Sequence, residues 1–183
     1  MKCCLKTKNC CLKIQTKHPL SVLQLGLLHY VDGAVFATHK STRVGILIWD
    51  EDGKLVGACS KKLLAPLGAV EAKTKAIELG LQFVKDMIIQ EFVLESNSLI
   101  LVNALKEVLP PPIAIVALVY WSLATSHEFR RVDISHVGRH GNRPAHLLAK
   151  HALGIVDFSI WIEETPYFFE QALLHDVNVG TCS

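Results

Sequence analysis

The sequence predicts an α/β fold, a mixed sheet of five strands with helices on both faces. Three strand-type runs come first, and Asp50-Glu51-Asp52-Gly53 joins the second to the third as a hairpin turn. Helical and strand-type segments then follow in the order helix, strand, helix, helix, strand, helix, with no internal repeat. Half of the 183 residues are apolar and a fifth are charged, a composition that builds one domain with a real core.

Leu27 to Phe36 is rich in branched and aromatic residues and reads as the first strand, with Asp32-Gly33 inside it. Arg43 to Trp49 is the second, apolar enough through Val44-Gly45-Ile46-Leu47-Ile48-Trp49 to be buried on both faces. Lys54 to Lys62 returns as the third. Pro66 and Gly68 break the chain before a long helix, about Ala69 to Met87, whose Ala76, Ile77, Gly80, Leu81 and Val84 recur at helical spacing. Glu91 to Glu95 is a short strand, and Ser96-Asn97-Ser98 caps a helix running to about Val108. Pro110-Pro111-Pro112 is rigid and separates elements, and Ile113 to Ser126 reads as a mostly buried helix. Arg130 to Val137 alternates, with Val132, Ile134 and His136 on one side and Asp133 and Ser135 on the other, which predicts a strand. Asn142 suits the cap of a last helix, and Pro144 fits its first turn, where a missing N–H costs nothing. Ala145, Leu148, Ala149 and Ala152 form that helix's inward stripe.

These boundaries divide the chain into a loose cysteine-containing extension (1–26), the folded domain (27–154) and a partly helical tail packed on it (155–183). Four of the six cysteines crowd the first eleven residues as two adjacent pairs, and the expected core holds only Cys59. A disulfide framework would spread its bridges through the fold, so this usage points to a reducing, intracellular setting, nucleus or cytoplasm. The pairs suit palmitoylation or a soft metal, but their spacing matches no standard zinc pattern. Lys2, Lys6, Lys8 and Lys13 precede no clean apolar stretch with a cleavage site, so no signal peptide is expected. The most apolar run, Ile113 to Leu123, is much shorter than the roughly 20 residues that span a bilayer.

Four segments carry the functional signal: Val31-Asp32-Gly33-Ala34, Val70-Glu71-Ala72-Lys73, Glu95-Ser96-Asn97-Ser98, and Gly141-Asn142-Arg143-Pro144-Ala145-His146-Leu147-Leu148-Ala149. Each sits where a strand end or helix start delivers one side chain to a common point. In their order, and with this order of elements, they resemble the ribonuclease H-like fold, more closely the plant reverse-transcriptase-like ribonuclease H domain of retroelement-derived genes. The likeness covers roughly Leu28 to Gly154, and Trp161-Ile162-Glu163-Glu164 is similar to the family's short tail. It implies metal-dependent phosphodiester hydrolysis of the RNA strand in RNA–DNA hybrids, with catalytic positions at Asp32, Glu71, Asn97 and His146.

The family's four carboxylates hold two ions about 3.5–4 Å apart, one readying water and one steadying the departing oxygen. Here only Asp32 and Glu71 are carboxylates, so they are the expected ligands of Mg²⁺ or Mn²⁺, bound weakly or at a single site. Asp32 also fits a turn aspartate, and Glu71 an acid that complements a helix dipole. Asn97 stands where the family has aspartate, and it equally fits a plain helix cap. Glu95, two residues earlier, points to the same side by strand alternation. His146 stands where nucleases of this fold carry the last acid, although plant relatives often show histidine there. It equally fits an exposed first-turn histidine, and His140 lies near the family's mobile proton-shuttling histidine.

Nucleic acid does not need the ions. A formal charge of +2 is too small to argue for it alone, so the distribution matters. Arg130, Arg131, Arg139, Arg143 and Lys150 outnumber the acids between His127 and His151, and Lys61, Lys62, Lys73 and Lys75 add a second basic group. Three functions follow: a ribonuclease acting on RNA–DNA hybrids, a catalytically impaired remnant that binds nucleic acid or protein, or a scaffold whose cysteine-rich start tethers it to membrane or metal. Oligomeric state is not written in the sequence.

Overall fold

The computed structural model describes residues 27–36 and 41–169. β1 (Leu28–Phe36), β2 (Ser41–Trp49) and β3 (Leu55–Leu63) form an antiparallel meander. The turn between β2 and β3 is held by Asp50, whose Oδ1 accepts from the Asp52 and Lys54 amides at 3.1 and 2.7 Å. Gly53 takes the left-handed conformation there, with φ 72°.

β4 (Glu91–Ser96) and β5 (Arg131–His136) add to the other side of β1 in parallel, each reached through helices. A further strand, β6 (Phe158–Ile162), pairs antiparallel with β3 and closes the order β5-β4-β1-β2-β3-β6. The sheet therefore has six strands where five were expected. The extra one comes from the segment read as a partly helical tail, whose described residues run from this strand to a helical turn at 167–169. Phe158-Ser159-Ile160-Trp161-Ile162 is a short branched and aromatic run, the composition that favours a strand.

Two layers of side chains cover the sheet. On one face α1 (Ala69–Asp86) buries Ala76, Ile77, Gly80, Leu81 and Val84 against Val31, Val44 and Ile46. α2 (Leu99–Leu105) and α3 (Val116–Ser126) join that core through Leu101, Ala104 and Val119. On the other face α4 (Arg143–His151) lays Leu148 on Leu47 and Ala58, and Phe169 closes the cluster. His151 stacks on Phe168, with centroids 4.2 Å apart and planes 6° apart, and meets Trp161 of β6 edge-on.

Two helices differ from expectation. α2 stops at Leu105, where Lys106 caps it and Glu107 turns left-handed with φ 57°, short of Val108. α3, preceded by a 3₁₀ turn at Ile113–Ile115, is not mostly buried. It leans on α1 and α2 through Val119, Ser122 and Thr125, and it leaves Tyr120 and Trp121 exposed. Among the described residues no helix is long and apolar enough to cross a membrane. Cys59 is buried with its thiol pushed up to about 12 by desolvation; the paired cysteines of the extension lie outside the described residues.

Candidate functional site

Asp32 lies inside β1 opposite Gly45 of β2, on the sheet face that carries α4, and is 4% exposed. Two glycines let helices reach it. A Cβ on Gly33 would stand 2.2 Å from the Ala72 carbonyl oxygen, so only glycine lets the first turns of α1 rest on β1 there. A Cβ on Gly45 would stand 2.0 Å from the Ala145 carbonyl oxygen, so α4 likewise settles on β2. Asn142 then ties the start of α4 to β1, its Nδ2 donating to the Val31 carbonyl at 3.0 Å. Asn142 sits at the cap position as expected, but its side chain bonds β1 rather than the helix's own amides.

This packing brings Asp32, Asn97 and His146 to one open cleft of about 430 Å³. His146 Nδ1 lies 2.9 Å from Asp32 Oδ2; with a carboxylate accepting, Nδ1–H is the donor. Asn97 follows β4 and turns into the cleft, whereas Ser98 occupies the cap position of α2.

Glu71 is not among the lining residues. Its Oε2 turns back to accept the Gly68 amide at 2.6 Å, closing the first turn of α1. The helix residue delivered to the cleft is Lys73, which the sequence reading placed only in a basic group. Its ammonium lies 3.7 Å from Asp32 Oδ1 and donates to Asn97 Oδ1. The reason is helical phase. Successive residues turn by about 100°, so positions two apart face nearly opposite ways. Lys73 precedes Ala76, Ile77 and Gly80 by three, four and seven residues, and therefore lies on their inward stripe; Glu71 does not. That spacing was the signal that could have found it.

The remaining basic candidates separate. Arg139, His140 and Arg143 line the cleft. Arg130 pairs with Glu91 at 3.0 Å and Arg131 with Asp133 at 2.8 Å. Both sit at the start of β5, about 17 Å of strand rise from the end nearest Asn97. Lys150 is exposed in the last turn of α4, away from the end that carries His146. Lys75 pairs with Glu78 at 2.6 Å. Glu95 stands opposite Tyr30 in the β1–β4 register and hydrogen-bonds it. Burial and that carboxylate push the Tyr30 phenol up to about 12.

The donor set can be weighed against the divalent ions the sequence resemblance implies. Among the described residues no three His, Cys, Asp or Glu side chains gather as a metal-binding group. Among the described residues Asp32 is the only carboxylate lining the cleft, with one oxygen engaged by His146 and the other facing an ammonium. Two hard dications need several anionic oxygens. This set does not fit them.

A family model described as reverse transcriptase-like matches residues 30–152. No curated protein matches the chain. Solved structures share the fold at low identity. Ribonuclease H1 from the halophilic archaeon Halobacterium salinarum is 21% identical with a TM-score of 0.65, covering 69% of this chain and 96% of its own. LC11 ribonuclease H1, solved in complex with an RNA/DNA hybrid, is 20% identical with a TM-score of 0.62, covering 69% and 95%. A foamy viral protease-reverse transcriptase chain, solved in complex with double-stranded DNA, is 18% identical with a TM-score of 0.61, covering 75% and 99%.

Proposed function

The chain belongs to the reverse transcriptase-like family, and from that premise we propose that it is a ribonuclease H-like domain that holds RNA–DNA hybrids without cutting them. The Lys73 ammonium on the cleft floor carries this reading. Hydrolysis by two ions needs negative charge gathered where the ions sit, and here a fixed positive charge stands beside Asp32. The Mg²⁺ or Mn²⁺ expected from Asp32 and Glu71 finds only Asp32, because Glu71 is spent on its own helix start. Asn97 and His146 therefore act as binding residues rather than catalytic ones. Arg139 and Arg143 extend the basic lining outward, and LC11 ribonuclease H1 supplies the precedent for a hybrid on this fold. The order of the Asp-Gly, Glu-Ser-Asn-Ser and Gly-Asn-Arg-Pro-Ala-His segments further supports a plant-type, retroelement-derived origin.

A labelled RNA–DNA hybrid incubated with the protein in Mg²⁺ and then in Mn²⁺ tests the proposal. The expected result is retarded migration with no cleavage in either ion. Cleavage that requires a divalent ion and disappears in Asp32→Asn would restore the ribonuclease reading in its place.

A further inference from the structure

Among the described residues, the polar side chains that line the cleft besides Asp32 are an amide, an ammonium, two guanidinium groups and two imidazoles. Asn97 gives its oxygen to Lys73, which leaves its Nδ2–H₂ as the half of the amide available to a ligand. Lys73 donates one N–H to Asn97 and faces Asp32 at 3.7 Å, beyond hydrogen-bond reach, so it keeps donor capacity toward the open side. Arg139 and Arg143 add two permanent cations, and His140 and His146 add ring nitrogens. Asp32 is already engaged by His146 and Lys73. A cleft built this way rejects a cation and accepts an anion. Lys73 is only 24% exposed, so its charge acts through a less screened medium than a surface lysine's.

We propose that this cleft is a metal-independent site for one backbone phosphodiester, with the Lys73 ammonium occupying the role that divalent ions play in a hydrolytic site. The inference rests on the hybrid-binding reading above and specifies where and how the strand is held. Lys73 and the Asn97 amide take the non-bridging oxygens, while Arg139 neutralises the charge from the cleft wall. Because the cation is part of the chain, chelation leaves the site intact.

The test measures fluorescence anisotropy of a labelled RNA–DNA hybrid with the whole protein, in EDTA and in Mg²⁺, across a salt series. Affinity in EDTA is expected to equal or exceed that in Mg²⁺, since free Mg²⁺ competes for phosphates. Lys73→Ala and Arg139→Ala, checked for an unchanged melting transition, should each weaken binding roughly tenfold and lower the salt slope by about one. Lys73→Arg should retain most of the affinity, and Lys54→Ala, in the β2–β3 turn, should change nothing. Inorganic phosphate alone should show no saturable binding by calorimetry in the low millimolar range. Tight binding of it would make free phosphate the ligand and overturn the proposal. Hybrid binding that needs Mg²⁺, or that is indifferent to Lys73→Ala, would also overturn it while leaving hybrid binding standing. Absence of hybrid binding in every condition would remove the underlying functional reading as well.

Discussion

His29 and Lys73 show how much one position decides. His29 is fully buried on β1, edge-on to Phe92 and packed against Gly80 of α1, with neither ring nitrogen hydrogen-bonded to any described residue. Desolvation lowers its imidazole from 6.5 to about 3. The unfolded chain therefore takes up a proton first, and stability present above pH 6.5 is lost as pH falls toward about 3, by up to about 1.4 kcal/mol per unit. Urea unfolding between pH 7.5 and 4.5 should show that loss, and His29→Leu should flatten it; parallel curves for the two proteins would refute the assignment. Lys73 sets a second expectation. Replacing Asn97 and His146 by aspartate cannot rebuild a two-ion site while an ammonium stands among them. The triple variant Lys73→Glu, Asn97→Asp, His146→Asp should bind Mg²⁺ measurably by calorimetry, whereas Asn97→Asp, His146→Asp alone should not. Equal binding by both variants would show that Lys73 is no obstacle. That Asp32, Asn97 and His146 share one cleft was legible from sequence, because a strand position beside a glycine, a strand end and a helix start leave few directions open. The choice between Glu71 and Lys73 was not, because a motif locates a helix start while the packed stripe sets its rotation.

At the scale of elements, the cleft exists because α1 and α4 lie unusually close to the sheet. Gly33 and Gly45 set those distances, and each would place a Cβ against backbone rather than against a yielding side chain. Gly33→Ala should cost about 1–3 kcal/mol or more in denaturant unfolding, as overpacking does. It should also weaken hybrid binding, because lifting the Ala72–Lys73 peptide withdraws the ammonium. Gly45→Ala should cost at least as much and disturb the His146–Asp32 contact instead. An unchanged melting temperature for either would mean the helices shift without penalty. Strands β1 to β5 and the main helices were readable because hairpin turns, prolines and apolar spacing are local signals. The exposure of α3 was not. Val116-Ala117-Leu118-Val119-Tyr120-Trp121 is apolar all round, and only the position of α1 decides which side is covered.

For the whole molecule, the informative feature is the outer strand. β6 covers the free edge of β3, and Trp161 joins His151 and Phe168 in one aromatic cluster against α4. A chain ending at Gly154 should lose stability and associate through the uncovered β3 edge, detected by size-exclusion chromatography with light scattering. A monomer as stable as the full chain would show that β6 is dispensable. The sequence did not indicate the place of β6 in the sheet, since five residues with a partner so distant in the chain carry no local pairing signal. That separation has a consequence for synthesis. Gly57 pairs with Ile162, so the β3 edge leaves the ribosome about 100 residues before the strand that covers it. At 5–20 residues per second it waits roughly 5–20 s, exposed to any other strand in the cell. Lys61 and Lys62 near the end of β3 place charge on that waiting edge, a device that discourages premature pairing until β6 emerges.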